Sequence, residues 1–220
     1  MKTPFSAQQF FSVFESYNTA VFPIQIVILT GGLAALILLF SGNRYRHYLL
    51  GGILALLWIW TGFIYFLNFF TVIGQAGFVF GILFLLEGIF LLHVTLRHGI
   101  KINYSNSMND KLALFFILFG LIIYPLIEVL KGIELARIII LGLPCPTTIF
   151  TIGLLMLNND KSTWYLMIIP TLWSLIGITA AVNFKITQDF MMIVAAVAGY
   201  ICLWNKNKAI NKSGGLPFPG

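Results

Sequence analysis

The stretch GILFLLEGIFLLHV, residues 81–94, is apolar on nearly every side whether it is wound as a helix or drawn out as a strand. Stretches of this kind recur at roughly 20–41, 48–70, 75–96, 112–131, 135–157, 163–184 and 186–204. Each approaches the ~20 residues a helix needs to cross a bilayer. The 220 residues are 59% hydrophobic and only 9% charged, against ~25% charged residues in an ordinary soluble domain. A spanning β-barrel would alternate apolar and polar residues in strands of about ten. Unbroken apolar runs leave helices, the open element that satisfies its own backbone in lipid. The expected fold is an all-α polytopic membrane helix bundle of seven transmembrane helices, occupying 20–205.

Lys and Arg accumulate on the cytoplasmic side of membrane proteins. Seven spans place Arg44, Arg46, Arg97, Lys101, Lys111, Lys161, Lys206, Lys208 and Lys212 on one side, against Lys2, Lys131, Arg137 and Lys185 on the other. The N-terminus is therefore expected outside and the C-terminus inside. The net charge of +6 records that bias, and no nucleic-acid partner is implied; the partner is the lipid bilayer. The first apolar run has no small-residue cleavage pattern after it and reads as a span, not as a signal peptide. Ahead of it, SAQQFFSVFESYN opens with a capping box, Ser6 with Gln9, and places Phe10, Phe14 and Tyr17 on one face. Residues 1–19 are expected to form an interfacial helix on the outer surface. Residues 206–220 read as a cytoplasmic tail whose KSGGLPFPG end resembles a linker or cloning remnant.

The fifth span contains GLPCPTTIF, residues 142–150. Proline removes a backbone donor and pushes its predecessor out of helical geometry. The span is expected to break at Leu143–Pro146, between a short helical piece, ARIIILG, and an inward helix from about Pro146 to Leu157. A broken helix at membrane depth is tolerated where its freed backbone is buried in protein or lines a cavity, and its N-terminus offers free N–H groups to an anion or carbonyl oxygen. A substrate site is expected there, from Cys145, Thr147 and Thr148 with Tyr17, Asn18, Gln25, Tyr124 and Gln188 from neighbouring outer ends. Asn68, Glu128 and Asp189 share that side. The competing reading is a packed proline kink whose threonines bond back to the helix.

Glu87 lies halfway along the third span with no Lys or Arg at its depth. It reads either as a proton-exchanging carboxyl, a role also open to Glu128, or as a neutral acid hydrogen-bonded to Trp58, Trp173 or Ser174. Gly74, Gly77, Gly81 and Gly88 form a stripe on the same span, suited to close helix packing and, alternatively, to oligomerisation. Cys145 and Cys202 lie too far apart to pair. His47, His93 and His98 fall at cytoplasmic ends and are no base for Cys145. No metal-binding, phosphate-loop or nucleophile-elbow motif is present, and no cofactor or metal is implied.

At ESYNTAVFPIQ, IIYPLIE, GLPCPTTIFTIGLL and IPTLWSLIGITAA the chain resembles a family of bacterial multi-pass membrane proteins known as a domain of unknown function. The resemblance covers nearly all of residues 10–204 and implies a bacterial inner (cytoplasmic) membrane and a shared site, but no reaction. The matching stretches contain Tyr17, Asn18, Pro23, Gln25, Pro125, Cys145, Thr147, Thr148 and Trp173. The leading expectation is a transporter of a small polar or anionic solute or ion, with its site at the broken helix. A thiol-dependent enzyme or carrier centred on Cys145, handling a lipid or soft metal ion, and a non-catalytic scaffold are the alternatives.

Overall fold

The computed structural model describes residues 5–160 and 163–212, the stretch 207–212 by its backbone alone. Lys2, Lys161 and the end of the expected tail, 213–220, lie outside the described residues. Among the described residues the fold is all-α, with isolated bridges such as Ile102 to Asn158 in place of strands. In chain order the helices are α1 (Ala7–Val21), α2 (Ile24–Phe40), α3 (Arg46–Val72), α4 (Ala76–His98), α5 (Met108–Leu130), α6 (Pro144–Met156), α7 (Thr163–Phe184) and α8 (Phe190–Lys212).

Among the described residues, five helical stretches are long and apolar enough to cross a membrane: α3, α4, α5, α7, and Thr187–Lys206, which runs into α8. The pair α1 and α2 makes a sixth when taken together, but it is bent by 91°. Large apolar side chains, including Val27, Ile37, Leu56, Val79, Leu96 and Val197, cover the outside of the bundle, a surface suited to lipid and costly in water.

Local chemistry sets several ends. Ser6 Oγ accepts from Gln9 N–H at 3.2 Å while Gln9 Oε1 accepts from Ser6 N–H at 2.8 Å, the expected capping box of α1. Ser107 and Asp110 repeat it on α5. Gly99, at φ +71°, ends α4, a left-handed position that costs glycine little. Two helices are widened by π-helical turns, α3 over Thr61–Phe69 and α5 over Phe119–Ile123.

The glycine stripe is used inside the chain. A Cβ on Gly81 would meet Gly62 O and Leu67, and one on Gly88 would meet Ile59 and Ala55 O, so α4 lies hard against α3. At Gly81 and Gly88 that face is covered by the chain's own helix, whereas Gly74 has nothing within 4 Å.

The fifth apolar segment differs from its expected form. Leu135–Arg137 make a single 3-10 turn, and ARIIILG is not a helical piece. Ile138 and Leu143 have extended backbone. A turn between them, closed by Leu143 N–H on Ile140 O at 3.0 Å, carries Gly142 at φ +93°. The helix then starts at Pro144, so Cys145 lies within its first turn. The first four N–H groups of a helix have no internal partner, and Pro144 and Pro146 both fall where a missing donor costs nothing. The α6 helix is the centre of the bundle: every residue in it is buried except Cys145, which is partly exposed. It approaches α5 closely because Gly120 and Gly153 leave room for backbone, a Cβ on Gly120 falling 2.6 Å from Pro146 O.

The contacts define two ends. At one, Arg137 pairs with Glu15 at 2.8 Å, Lys131 meets Thr187 and Gln188, and Phe5 stacks near Phe70 and Phe184. At the other, His47 faces Ile100 O, Asn103 N–H bonds Leu157 O, and Lys206 Nζ donates to Met156 O at 2.8 Å and Asn158 O at 3.3 Å. That lysine caps the C-terminus of α6, where free carbonyls and the helix dipole favour a cation.

Candidate functional site

A non-helical stretch among apolar helices exposes backbone groups that must find partners. Most polar residues expected to bind substrate are those partners. Asn18 Nδ2 donates to Ala136 O and Ile138 O, both at 2.9 Å, and Gln25 Nε2 holds Asn18 in place through its carbonyl and side-chain oxygens. Glu128 Oε2 accepts from Ile139 N–H, while Oε1 accepts from Gln188 Nε2 at 2.9 Å. Gly142 is served from both sides: its N–H donates to Thr147 Oγ1 at 3.0 Å, and its carbonyl accepts from Thr61 at 3.0 Å and from Tyr17 at 3.5 Å. Tyr17 in turn accepts from Trp60 Nε1 at 2.7 Å. Thr148 bonds back to Pro144 O at 2.8 Å, as the packed-kink reading expects.

Four groups at the start of α6 fall outside this arrangement. Tyr124 donates to Asp189 Oδ1 at 2.5 Å, and the Cys145 thiol lies beside the same carboxyl and beside the indole of Trp173. Asp189 is 1% exposed and Trp173 7% exposed, and beyond the thiol of Cys145 neither Asp189 Oδ2 nor Trp173 Nε1 has a hydrogen-bond partner. Buried polar atoms without partners are rare in folded proteins. Of these residues Cys145 and Trp173 line a cavity.

The cavity has a volume of about 220 Å³. Its walls are rings: Phe5, Phe10 and Phe14 from α1 and its lead-in, Tyr65, Phe66 and Phe70 from α3, Phe80 from α4, and Trp173 and Phe184 from α7. Pro144 and Cys145 form its floor. The partial exposure of Cys145 is exposure to this space. The π-helical turn of α3 presents Tyr65 and Phe66 to it, and α1, folded back across the bundle end, supplies its roof.

Glu87 stands apart. It is fully buried and neither oxygen has a hydrogen-bond partner. The expected bond from Trp58 is absent because Trp58 Nε1 donates to Thr151 Oγ1 at 2.9 Å, and Ser174 donates to Pro170 O. Trp173 points its polar edge elsewhere as well.

Of the sequence-derived candidates, Tyr124 and Cys145 reach this cluster. Tyr17, Asn18, Gln25, Glu128, Thr147, Thr148 and Gln188 serve the backbone or one another. Asp189 and Trp173 went unrecognised as site residues. Asp189 reads as an ordinary interface residue at a span end, and its contact with Tyr124 crosses 65 positions of chain. Both cysteines are free, and the described histidines lie at the far end, His98 3.8 Å from Asp160.

One family pattern matches residues 7–213, nearly the whole chain. The chain belongs to the family of unknown function DUF6064. Searches of curated proteins and of solved structures each returned no match. For this DUF6064 protein, the geometry of its own residues is therefore the guide to function.

Proposed function

We propose that the protein is a seven-pass transporter of the bacterial inner membrane, N-terminus outside and C-terminus cytoplasmic, taking a small solute with an apolar body into the aromatic cavity. In this reading α2 crosses alone, α1 lies in the outer interface, and residues 131–157 cross as a non-helical half followed by α6. The count is supported by the hydrogen bonds at both ends of that stretch, from Asn18 to Ala136 at one and from Lys206 to Met156 at the other. The orientation is supported by Arg44, Arg46, Arg97, Lys101 and Lys206 gathering at the end opposite Lys131, Arg137 and Lys185.

The observation that carries the function is the cavity at the N-terminus of a discontinuous span. Space of this kind is where transporters hold substrate, and the adjoining polar atoms are left without partners by the fold itself. The polar-solute expectation loses support, since most of the residues chosen for it are spent on backbone or on one another. A cavity of ~150 Å³ with apolar walls takes up benzene, so 220 Å³ leaves room for one ring and a small substituent.

The test is protection of Cys145 from alkylation by iodoacetamide in detergent micelles, with small aromatic compounds as competitors. Saturable protection is expected, and Ala180→Phe, which fills the cavity wall, should abolish it. Protection that never saturates, or that survives Ala180→Phe, would remove the cavity as the site.

A further inference from the structure

We propose that the solute is a lipophilic organic cation, a small amine or quaternary ammonium compound with an aromatic or short alkyl body; this rests on the cavity being the binding site. Two independent features point to that class. The first is the wall. Phe10 and Phe184 stack at 4.3 Å between centroids, and Trp173 stands at near right angles to Phe66, Phe80 and Phe84. Rings from four helices line this one space, and ring faces attract cations, most strongly where water is excluded.

The second is charge. Asp189 lies behind Cys145, its carboxyl shared between the Tyr124 hydroxyl and the Cys145 thiol, and no cationic side chain pairs with it among the described residues. Glu128 is engaged with Ile139 N–H and Gln188 Nε2 and adds no free oxygen to the cavity. The cation of this neighbourhood, Lys131, is engaged with Thr187 and Gln188 oxygens, both at 3.0 Å. Behind the cavity floor one carboxyl is thus in excess, with no cation of its own among the described residues. An anion would meet that excess unfavourably despite the helix N-terminus, whereas a cation supplies what the site lacks. A carboxyl in a water-poor setting is unstable without such a partner.

The decisive probes are benzyltrimethylammonium and neopentylbenzene, which share shape and heavy-atom count and differ in charge. Each is tested in micelles for protection of Cys145 from iodoacetamide, with concentrations expressed as mole fraction in the detergent phase and Cys202 as internal reference. The cation should protect at least ~10-fold more tightly, the ratio expected for a desolvated cation over ring faces. Asp189→Asn, which keeps an acceptor for Tyr124, should cut that ratio at least fivefold, and Trp173→Leu should cut it independently if the first variant fails to fold. Equal protection by both compounds in the wild-type chain overturns the cation assignment and leaves the cavity standing. Retention of the full ratio in both folded variants overturns it too. Absence of saturable protection by either compound overturns the cavity itself.

Discussion

Thr147 and Thr148 are adjacent, both fully buried in the first turn of α6, and the same substitution to valine should affect them differently. Thr147 Oγ1 is the acceptor for Gly142 N–H, a donor in a non-helical stretch with nothing else to bond. Removing the acceptor orphans that N–H, and a buried unsatisfied group costs ~1–3 kcal/mol. Side-chain hydrogen bonds inside membrane bundles run lower, averaging ~0.6 and reaching ~1.7 kcal/mol. Thr147→Val should therefore cost about 1–2 kcal/mol. Thr148 is a donor, to Pro144 O. Its removal takes the donor away with it, and Pro144 O keeps the backbone N–H one turn on, so Thr148→Val should cost under ~0.5 kcal/mol. Equilibrium unfolding in mixed micelles of rising dodecyl sulfate content, followed by tryptophan emission, reads the difference directly. A Thr148→Val cost equal to or greater than that of Thr147→Val would refute the claim that these hydroxyls exist to satisfy the broken backbone.

Gly120→Ala should destabilise by ~1–3 kcal/mol, since the new methyl falls 2.6 Å from Pro146 O and 2.9 Å from Phe150 N; Gly52→Ala, with nothing within 4 Å, should be neutral or slightly stabilising in the same unfolding assay. Lys206→Met strips the cap from Met156 O and Asn158 O and should cost ~1–2 kcal/mol, with hydrogen exchange quickening first in the last turn of α6. Reporter fusions at Asn106 and at the C-terminus should both report cytoplasm; opposite locations would show that residues 131–157 do not cross.

Much of the bundle is legible in the sequence because helix ends and apolar runs are local signals. Ser6 with Gln9 announces the start of α1, and the Leu-Pro-Cys-Pro break marks where the fifth segment changes character. The state of ARIIILG is not local. A short apolar run rich in isoleucine suits a strand as well as a helix, and here the outcome rests on Asn18, Thr61 and Glu128, distant residues whose side chains satisfy it. The polar residues around the break are recognisable as a group, but their task is not. Whether Tyr17 or Gln25 faces a solute or a carbonyl depends on how the helices are rotated about their axes, which spacing along one helix cannot fix. Trp58 turning to Thr151 in place of Glu87 has the same cause.

The enclosure of α6 bears on how this protein can change over evolutionary time. Helices such as α2 turn whole faces outward, where one aliphatic residue replaces another freely. On α6 almost every position touches another element, so an enlarged side chain needs a simultaneous reduction opposite: Gly153 against Ala113 and Ile117, Gly120 against Phe150. Homologues should therefore drift fastest along α2 and change α6 in matched pairs with α5. Cys145, which faces the cavity on one side and Asp189 and Trp173 on the other, is the position on that helix with the most room for substitution.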